Sequence, residues 1–319
     1  MSASSSRIKR FGTTGIKNVS NNSFFVAPMQ ILYSIIPFRT GLLNKTLQLA
    51  SNDVNDDKDV DGVIFSKQDI VKAKLAVEEL QGWFVGMSGT SNVYVPTIYL
   101  PGMVSYEAGN TRNGVFPEWK DGDPFYFQSI PIPNEPPPSF AELYGLDKGH
   151  TCDVKDSFDC MMRWIALAQV NREDLLDIFQ IWRLPNVGDA LPRRVFYEVG
   201  FGDSFSAGLE FMFSDGHITH LPPVFVFSSE SQQTEIVEEL NLPLVETEHL
   251  ESRKYVLHAL VEFVSGGVGR CIACIKNHRE NEWYRFDGSI VGRVSRLELQ
   301  GYIAMYVYIQ QDRLHEMAV

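Results

Sequence analysis

Two stretches of the sequence bring together residue types that could do chemistry without help from elsewhere in the chain. Cys271 and Cys274 have the Cys-x-x-Cys spacing of redox dithiols and of half a zinc site. They lie in the run RCIACIK, whose β-branched and apolar residues read as a buried strand. Residues three apart on a strand point to opposite faces, so these thiols are expected to be small core residues, not a converging pair. The second stretch is acidic. Asp57, Asp59, Asp61, Gly62 and Ile64 imitate the opening of a calcium-binding EF-hand loop, but Phe65 and Gln68 stand at its ninth and twelfth positions. Gln68 cannot supply the bidentate carboxylate such loops need, so a solvated acidic loop over residues 51–62 is expected. No cofactor and no metal are expected.

The elements around these stretches follow from periodicity. SFFVAPMQILYSIIPFRTGLL is dense enough in apolar residues for a buried helix, with Ser23 or Asn22 placed to cap it. Pro28, one and a half turns inside, should kink that helix or limit it to a short first segment. Ser66 and Asp69 form a capping box for a helix through KQDIVKAKLAVEELQGWFVGM. Residues 96–150 are rich in proline and glycine, with PNEPPPSF the extreme, and are expected to wrap the surface with little regular structure. DSFDCMMRWIALAQVNREDLLDIFQIW reads as one or two helical segments. Beyond Leu191 the pattern shifts to short runs, RVFYEVGF, GLEFMF, VFVFS, YVLHALVEFV, RCIACIK, EWYRF and YIAMYVYIQ, which are predicted strands. A helical lobe followed by a sheet lobe is an α+β arrangement.

Composition narrows the function classes. The 319 residues are 44% hydrophobic, enough for a large core, and the net charge of −12 opposes nucleic acid as the main ligand. A basic protein partner matches it better. MSASSSRIKRFG has charge but no apolar core, so no secretory signal is read there and an intracellular place, cytoplasm or nucleus, is expected. Residues 1–14 read as a flexible tail. Its RIKR is a solvated patch in one reading and a targeting signal in the other. The longest nearly apolar run, from Phe24 to Phe38, is interrupted by Pro28 and Gln30 and falls short of the roughly 20 residues that span a bilayer. No membrane segment is expected. Four cysteines are too few for a disulfide scaffold of this size.

Two further stretches resemble a known family. GIKNVSNNSFFVAPMQIL looks like the first box of the ubiquitin-specific proteases, GLxNLGNTCYxNSxxQxL, with Gly15, Asn18, Asn21, Gln30 and Leu32 on matching positions. YVLHALVEFVSGGVGRCIACIKNHRENEWYRFDGSIVGRVS is similar to the second, YxLxAVxxHxGxxxxGHYxAYVK followed by WYxFDDxxV. Tyr255, Leu257, Ala259, Gly266, Gly269, Ala273, Lys276, Trp283, Tyr284, Phe286, Asp287 and Val291 agree. Weaker echoes, DSFDCM for QQDAHEFL, LPPVFVF for LPxVLxIHLKRF and GYIAMYVYIQ for the closing strand, come in the family's order. The resemblance covers most of residues 15–310. It implies a papain-like α+β fold over residues 15–319, with a helical thumb to about residue 190 and a sheet palm from about 191.

The resemblance also implies a disabled site. The family hydrolyses the bond after ubiquitin's C-terminal glycine with a thiolate at a helix N-terminus, a histidine base and an aspartate or asparagine that orients it. Here the nucleophile position is Ser23, and an alkoxide is far harder to form than a thiolate. The base position is Arg270, which stays protonated at any physiological pH. Asp287 keeps the third position, and Asn18 stands where the family places an oxyanion-stabilising side chain. An arginine facing an aspartate implies a salt bridge between Arg270 and Asp287 near Ser23. Asp156 falls on the family aspartate that contacts ubiquitin's tail, while Arg270 and Cys271 would crowd the cleft for that tail.

The family's zinc-binding CxxC pairs are missing, and Trp182 to Leu221 leaves about forty residues for the fingers, enough for a hairpin or two. Truncated fingers without zinc are expected. The implied function is that of an inactive member acting as a protein-interaction scaffold or adaptor in a multiprotein complex. Two alternatives stay open. One is a module that binds ubiquitin without cleaving it, which the shortened fingers disfavour. The other is a weak deubiquitinase using Ser23 with a base relocated to His258 or His278. The segment from Tyr94 through the proline-rich stretch to residue 140 is either a partner surface or a cover for the core.

Overall fold

The computed structural model describes residues 14–16, 23–43, 49, 58–60, 63–89, 93–94, 154–169, 175–183, 193–195, 198–200, 204–214, 218–229, 232–244, 251–265 and 270–318. Its helices are α1 (Ser23–Ser34), α2 (Ile36–Leu43), α3 (Lys67–Gly89), α4 (Val154–Ala168), α5 (Phe205–Ser214) and the short α6 (Leu314–Met317). Its first eight strands are β1 (Gly15–Ile16), β2 (Lys58–Val60), β3 (Val63–Phe65), β4 (Val93–Tyr94), β5 (Ile181–Arg183), β6 (Arg193–Val195), β7 (Glu198–Gly200) and β8 (Ile218–His220). The remaining seven are β9 (Val224–Ser229), β10 (Glu239–Leu244), β11 (Glu251–Val264), β12 (Arg270–Asn277), β13 (Glu282–Asp287), β14 (Ile290–Val294) and β15 (Tyr302–Gln310).

The architecture is α+β around an eight-stranded sheet, ordered β14-β13-β12-β11-β15-β9-β7, with β10 added beside β11. All its pairings are antiparallel except β7 with β9. β11 is long enough to serve two partners on one edge: Glu251–Val256 pair with β10 and Ala259–Val264 with β12.

Strand alternation divides the core in two. Cys271, Ala273 and Ile275 join the helices in one cluster, whereas Ile272 and Cys274 join α5 in the other. β15 repeats the division, with Met305, Val307 and Ile309 on the helical side and Tyr306 and Tyr308 on the far side. The two cysteines thus face opposite ways, each buried and neither in a disulfide. Burial in the far core pushes the Cys274 thiol up to about 12.

α1 is the inner helix. Every residue from Phe25 to Ser34 is buried, as its largely apolar composition requires, and the polar Gln30 and Ser34 are hydrogen-bonded within. It lies between β12 on one side and α4 on the other, and α3 packs against α4. Edge-to-face ring pairs, Phe25–Trp83, Tyr33–Phe84, Phe38–Phe179 and Phe158–Phe179, tie the four helices together. Each such pair contributes about 0.5–1.5 kcal/mol beyond its buried area.

Several sequence expectations are corrected. Pro28 does not end α1, which runs on to Ser34; the break comes at Ile35, just before α2 begins at Ile36. Proline in the helix interior forfeits one backbone hydrogen bond, and burial on all sides outweighs that loss. GLEFMF is not a strand but part of α5, whose Phe205, Leu209 and Phe213 recur every four residues on the face packed into the far core. A helix docks here because two glycines meet: a Cβ on Gly200 would lie 2.8 Å from Gly208 Cα. RVFYEVGF divides into β6, in a small sheet ordered β6-β5-β8, and β7 in the large one. The span between Trp182 and Leu221 therefore holds a helix as well as strands. Within the expected acidic loop, Lys58–Val60 pair with Val63–Phe65 as a hairpin. DIFQIW contains a turn followed by β5, not a second helix.

The capping box appears as drawn. The Ser66 amide donates to Asp69 Oδ2 at 3.0 Å and the Asp69 amide to Ser66 Oγ at 3.4 Å, a capping box at the head of α3. Thr14, assigned to the tail, is buried and donates to the Met87 carbonyl at 3.2 Å. Residues 1–13 and the proline-rich stretch from 95 to 150 lie outside the described residues. No helix among the described residues is long and apolar enough to cross a membrane.

Candidate functional site

Ser23 is the first residue of α1, so the positive end of that helix dipole falls beside its hydroxyl. The neighbour that takes up the hydroxyl is β12. The Cys271 amide donates to Ser23 Oγ at 2.9 Å, closing the head of the helix against the start of the strand. The oxygen accepts that hydrogen bond, and among the described residues that line the site there is no imidazole to which its own O–H could donate.

Arg270 begins β12 and Asp287 ends β13. The register, Ala273 opposite Phe286, places the two as near neighbours on paired strands. Arg270 Nη1 lies 3.0 Å from Asp287 Oδ2. With side-chain exposures of 51% and 32%, the pair is a wet one, worth at most about 1 kcal/mol after solvent screening. Its main effect is positional: the carboxylate that would orient a base is held by a cation instead.

Ser23, Val26, Arg270, Cys271, Phe286 and Asp287 line a pocket of about 150 Å³. The three side chains drawn from separate parts of the sequence are thus gathered at one place. A guanidinium does not accept protons near neutral pH, the carboxylate is engaged by it, and no histidine is among the described residues that line the pocket. Asn18 lies outside the described residues. Asp156 sits in the first turn of α4, and its side chain is likewise outside them.

The histidines go elsewhere. His258 is fully buried and its Nε2 lies 2.8 Å from Ser34 Oγ, at the opposite end of α1 from Ser23. At 1.5 Å per residue those two serines are roughly 16 Å apart along the helix. His278 Nε2 is 3.3 Å from His258 Nδ1, and the rings stack with centroids 5.4 Å apart. Burial, then the neighbouring imidazole, holds His258 well below the usual histidine range. Burial, then Lys276, holds His278 down to about 4.

Two polar groups with large structural roles escaped the sequence reading. Glu262, fully buried, pairs with Arg285 Nη2 at 2.7 Å and accepts the amides of Gln300 and Gly301, the latter at 2.9 Å. Ser34 also donates to the Ile31 carbonyl at 2.6 Å. A signal for the first existed, since one carboxylate inside YVLHALVEFV must find partners if that strand is central. Ser34 carried none.

No protein-family model matches the chain, and no curated protein sequence does. Among solved structures, the chain is similar to the Saccharomyces cerevisiae PAN2 pseudoubiquitin-hydrolase, with a TM-score of 0.57 and 12% identity. The match covers 97% of this chain and 88% of that one. At that identity the likeness is one of fold: this α+β chain, with its mainly antiparallel sheet, is built like a pseudoubiquitin-hydrolase.

Proposed function

We propose that the protein is a catalytically inactive relative of the ubiquitin-specific proteases that works as a protein-interaction scaffold. The observation that carries this reading is the Arg270–Asp287 ion pair at 3.0 Å in the pocket that Ser23 heads. A cation stands where the family's base belongs, its partner is the carboxylate that would have oriented that base, and a hydroxyl replaces the thiol. The fold likeness to a protein named as a pseudoubiquitin-hydrolase supports the same reading.

The weak-hydrolase alternative needs a histidine within reach of Ser23. His258 is bound to Ser34 at the far end of α1 and His278 to His258, which speaks against both as its base. The ubiquitin-binding alternative keeps one observation in its favour, the net charge of −12, which suits a basic partner.

Incubation with a ubiquitin C-terminal fluorogenic substrate should give no turnover above buffer. Turnover that disappears in Ser23→Ala would end the inactive reading. Titration of isotope-labelled ubiquitin with the full chain separates scaffold from ubiquitin reader: no shifts at millimolar protein are expected. Shifts on ubiquitin would favour the reader. Affinity purification with mass spectrometry would then name the partner.

A further inference from the structure

Ser34, His258 and His278 form a hydrogen-bonded chain that the disabled pocket does not use. Its proton positions can be counted. Ser34 Oγ has one hydrogen, and the Ile31 carbonyl 2.6 Å away can only accept, so that hydrogen points to Ile31. His258 must then donate Nε2–H to Ser34 Oγ across 2.8 Å. Its Nδ1 is left as an acceptor, and His278 donates Nε2–H to it across 3.3 Å. Every hydrogen is assigned with both rings neutral. A further proton on His258 would set two N–H groups against each other across the 3.3 Å contact, unless His278 changed tautomer as well.

The backbone is arranged for this contact. β11 pairs with β15 with two register shifts, one between Val261 and Glu262 and the other where Leu257 faces Tyr308 and Ala259 faces Val307, which leaves His258 as the extra residue of a β-bulge. Bulges re-aim side chains. Here the bulge side chain meets the last residue of α1, so the chain spans the seam between helical layer and sheet. The charges facing the pair are few. From β12 comes Lys276, and from the segment before β10 comes Glu238, already joined to Lys276 at 2.6 Å. From α1 the contact is the uncharged Ser34. Among the described residues, no carboxylate acts on His258, whose titratable neighbour is His278.

We propose that the Ser34–His258–His278 chain is an acid-sensitive latch that fastens helix α1 to strand β11 while both imidazoles are neutral and releases that seam when they are driven to take up protons. Both histidines are held below their ordinary range, His278 to about 4, so the unfolded or opened chain binds protons that the closed one refuses. Stability is therefore complete above the ordinary histidine value and falls as pH drops from roughly 6.5 towards 4. Each histidine raises the opening constant about 20-fold between pH 7 and pH 5.

The test uses the full chain. Urea unfolding at pH 7 and pH 5 is compared for the wild type and for His278→Gln, whose amide keeps an N–H donor towards His258 but does not titrate. The carboxylates contribute alike to both proteins, so between pH 7 and pH 5 the unfolding constant of the wild type should rise about 20-fold more than that of the variant. Equal losses would overturn the latch. Hydrogen exchange, corrected for its intrinsic pH dependence, should show Ile31–Ser34 and the centre of β11 opening at pH 5 ahead of β13 and β14. Uniform acceleration would mean general acid destabilisation and would also overturn it. Should the variant fail to fold, imidazole ¹⁵N shifts of the wild type decide: neutral Nε2–H rings at pH 7 are required, and a charged His258 refutes the proposal.

Discussion

The Cys271 amide and the Ser23 hydroxyl are hydrogen-bonded at 2.9 Å across 248 positions of sequence. The head of α1 is thereby fastened to the start of β12, and the Ser23 side chain acts as a structural acceptor. Ser23→Ala removes the acceptor from a part-buried amide and should lower stability by about 1–2 kcal/mol. The measurement is a urea titration. An unchanged midpoint would show that water replaces the hydroxyl.

The Arg270–Asp287 pair is expected to respond to salt. Both groups are partly exposed, so Arg270→Ala should cost less than about 1 kcal/mol at low ionic strength, and the cost should shrink in 1 M salt. Urea midpoints at two salt concentrations, for wild type and variant, give the answer. A large, salt-independent loss would mean that Arg270 acts through packing.

Glu262 behaves differently because it is buried. Arg285→Leu leaves its carboxylate without a cation while the Gln300 and Gly301 amides remain, and the expected loss is roughly 3 kcal/mol. Adding Glu262→Leu to Arg285→Leu should recover part of that loss, because the uncompensated charge goes with it. Thermal unfolding of the single and double variants distinguishes this from simple additivity.

Cys274 should resist thiol reagents in the folded state. Burial raises its thiol to about 12, so almost no thiolate exists at neutral pH, and its side chain lies inside the far core. Peptide mapping after iodoacetamide treatment should find it unmodified until urea reaches the unfolding transition. Modification in buffer alone would show that the far core opens locally.

How much of this was legible in the sequence depended on whether the signal was local. The capping box at Ser66 and Asp69 was readable because its partners are three residues apart. The strands β11, β12 and β15 were readable because a strand between two cores is largely apolar on both faces. The Arg270–Asp287 pairing came from the family resemblance, which supplied a register that periodicity cannot. Misreadings arose where a short apolar run fits two periods: GLEFMF alternates well enough for a strand, and only the four-residue recurrence of Phe205, Leu209 and Phe213 points to α5. Pro28 misled because local propensity was set against tertiary burial, which won. The Ser34–His258 contact was illegible, since a bulge in β11 shifts the register by one residue and no local pattern announces it.

β11 deserves one last consequence. Leu257 and Leu260 pack in the far core, Ala259 and Val261 in the helical one, and the same strand carries β10, β12 and β15 on its edges. Neither core can be lost while the other keeps its wall. Melting should therefore be a single all-or-none transition, in which the calorimetric and van't Hoff enthalpies agree, and neither half of the chain expressed alone should hold a fold.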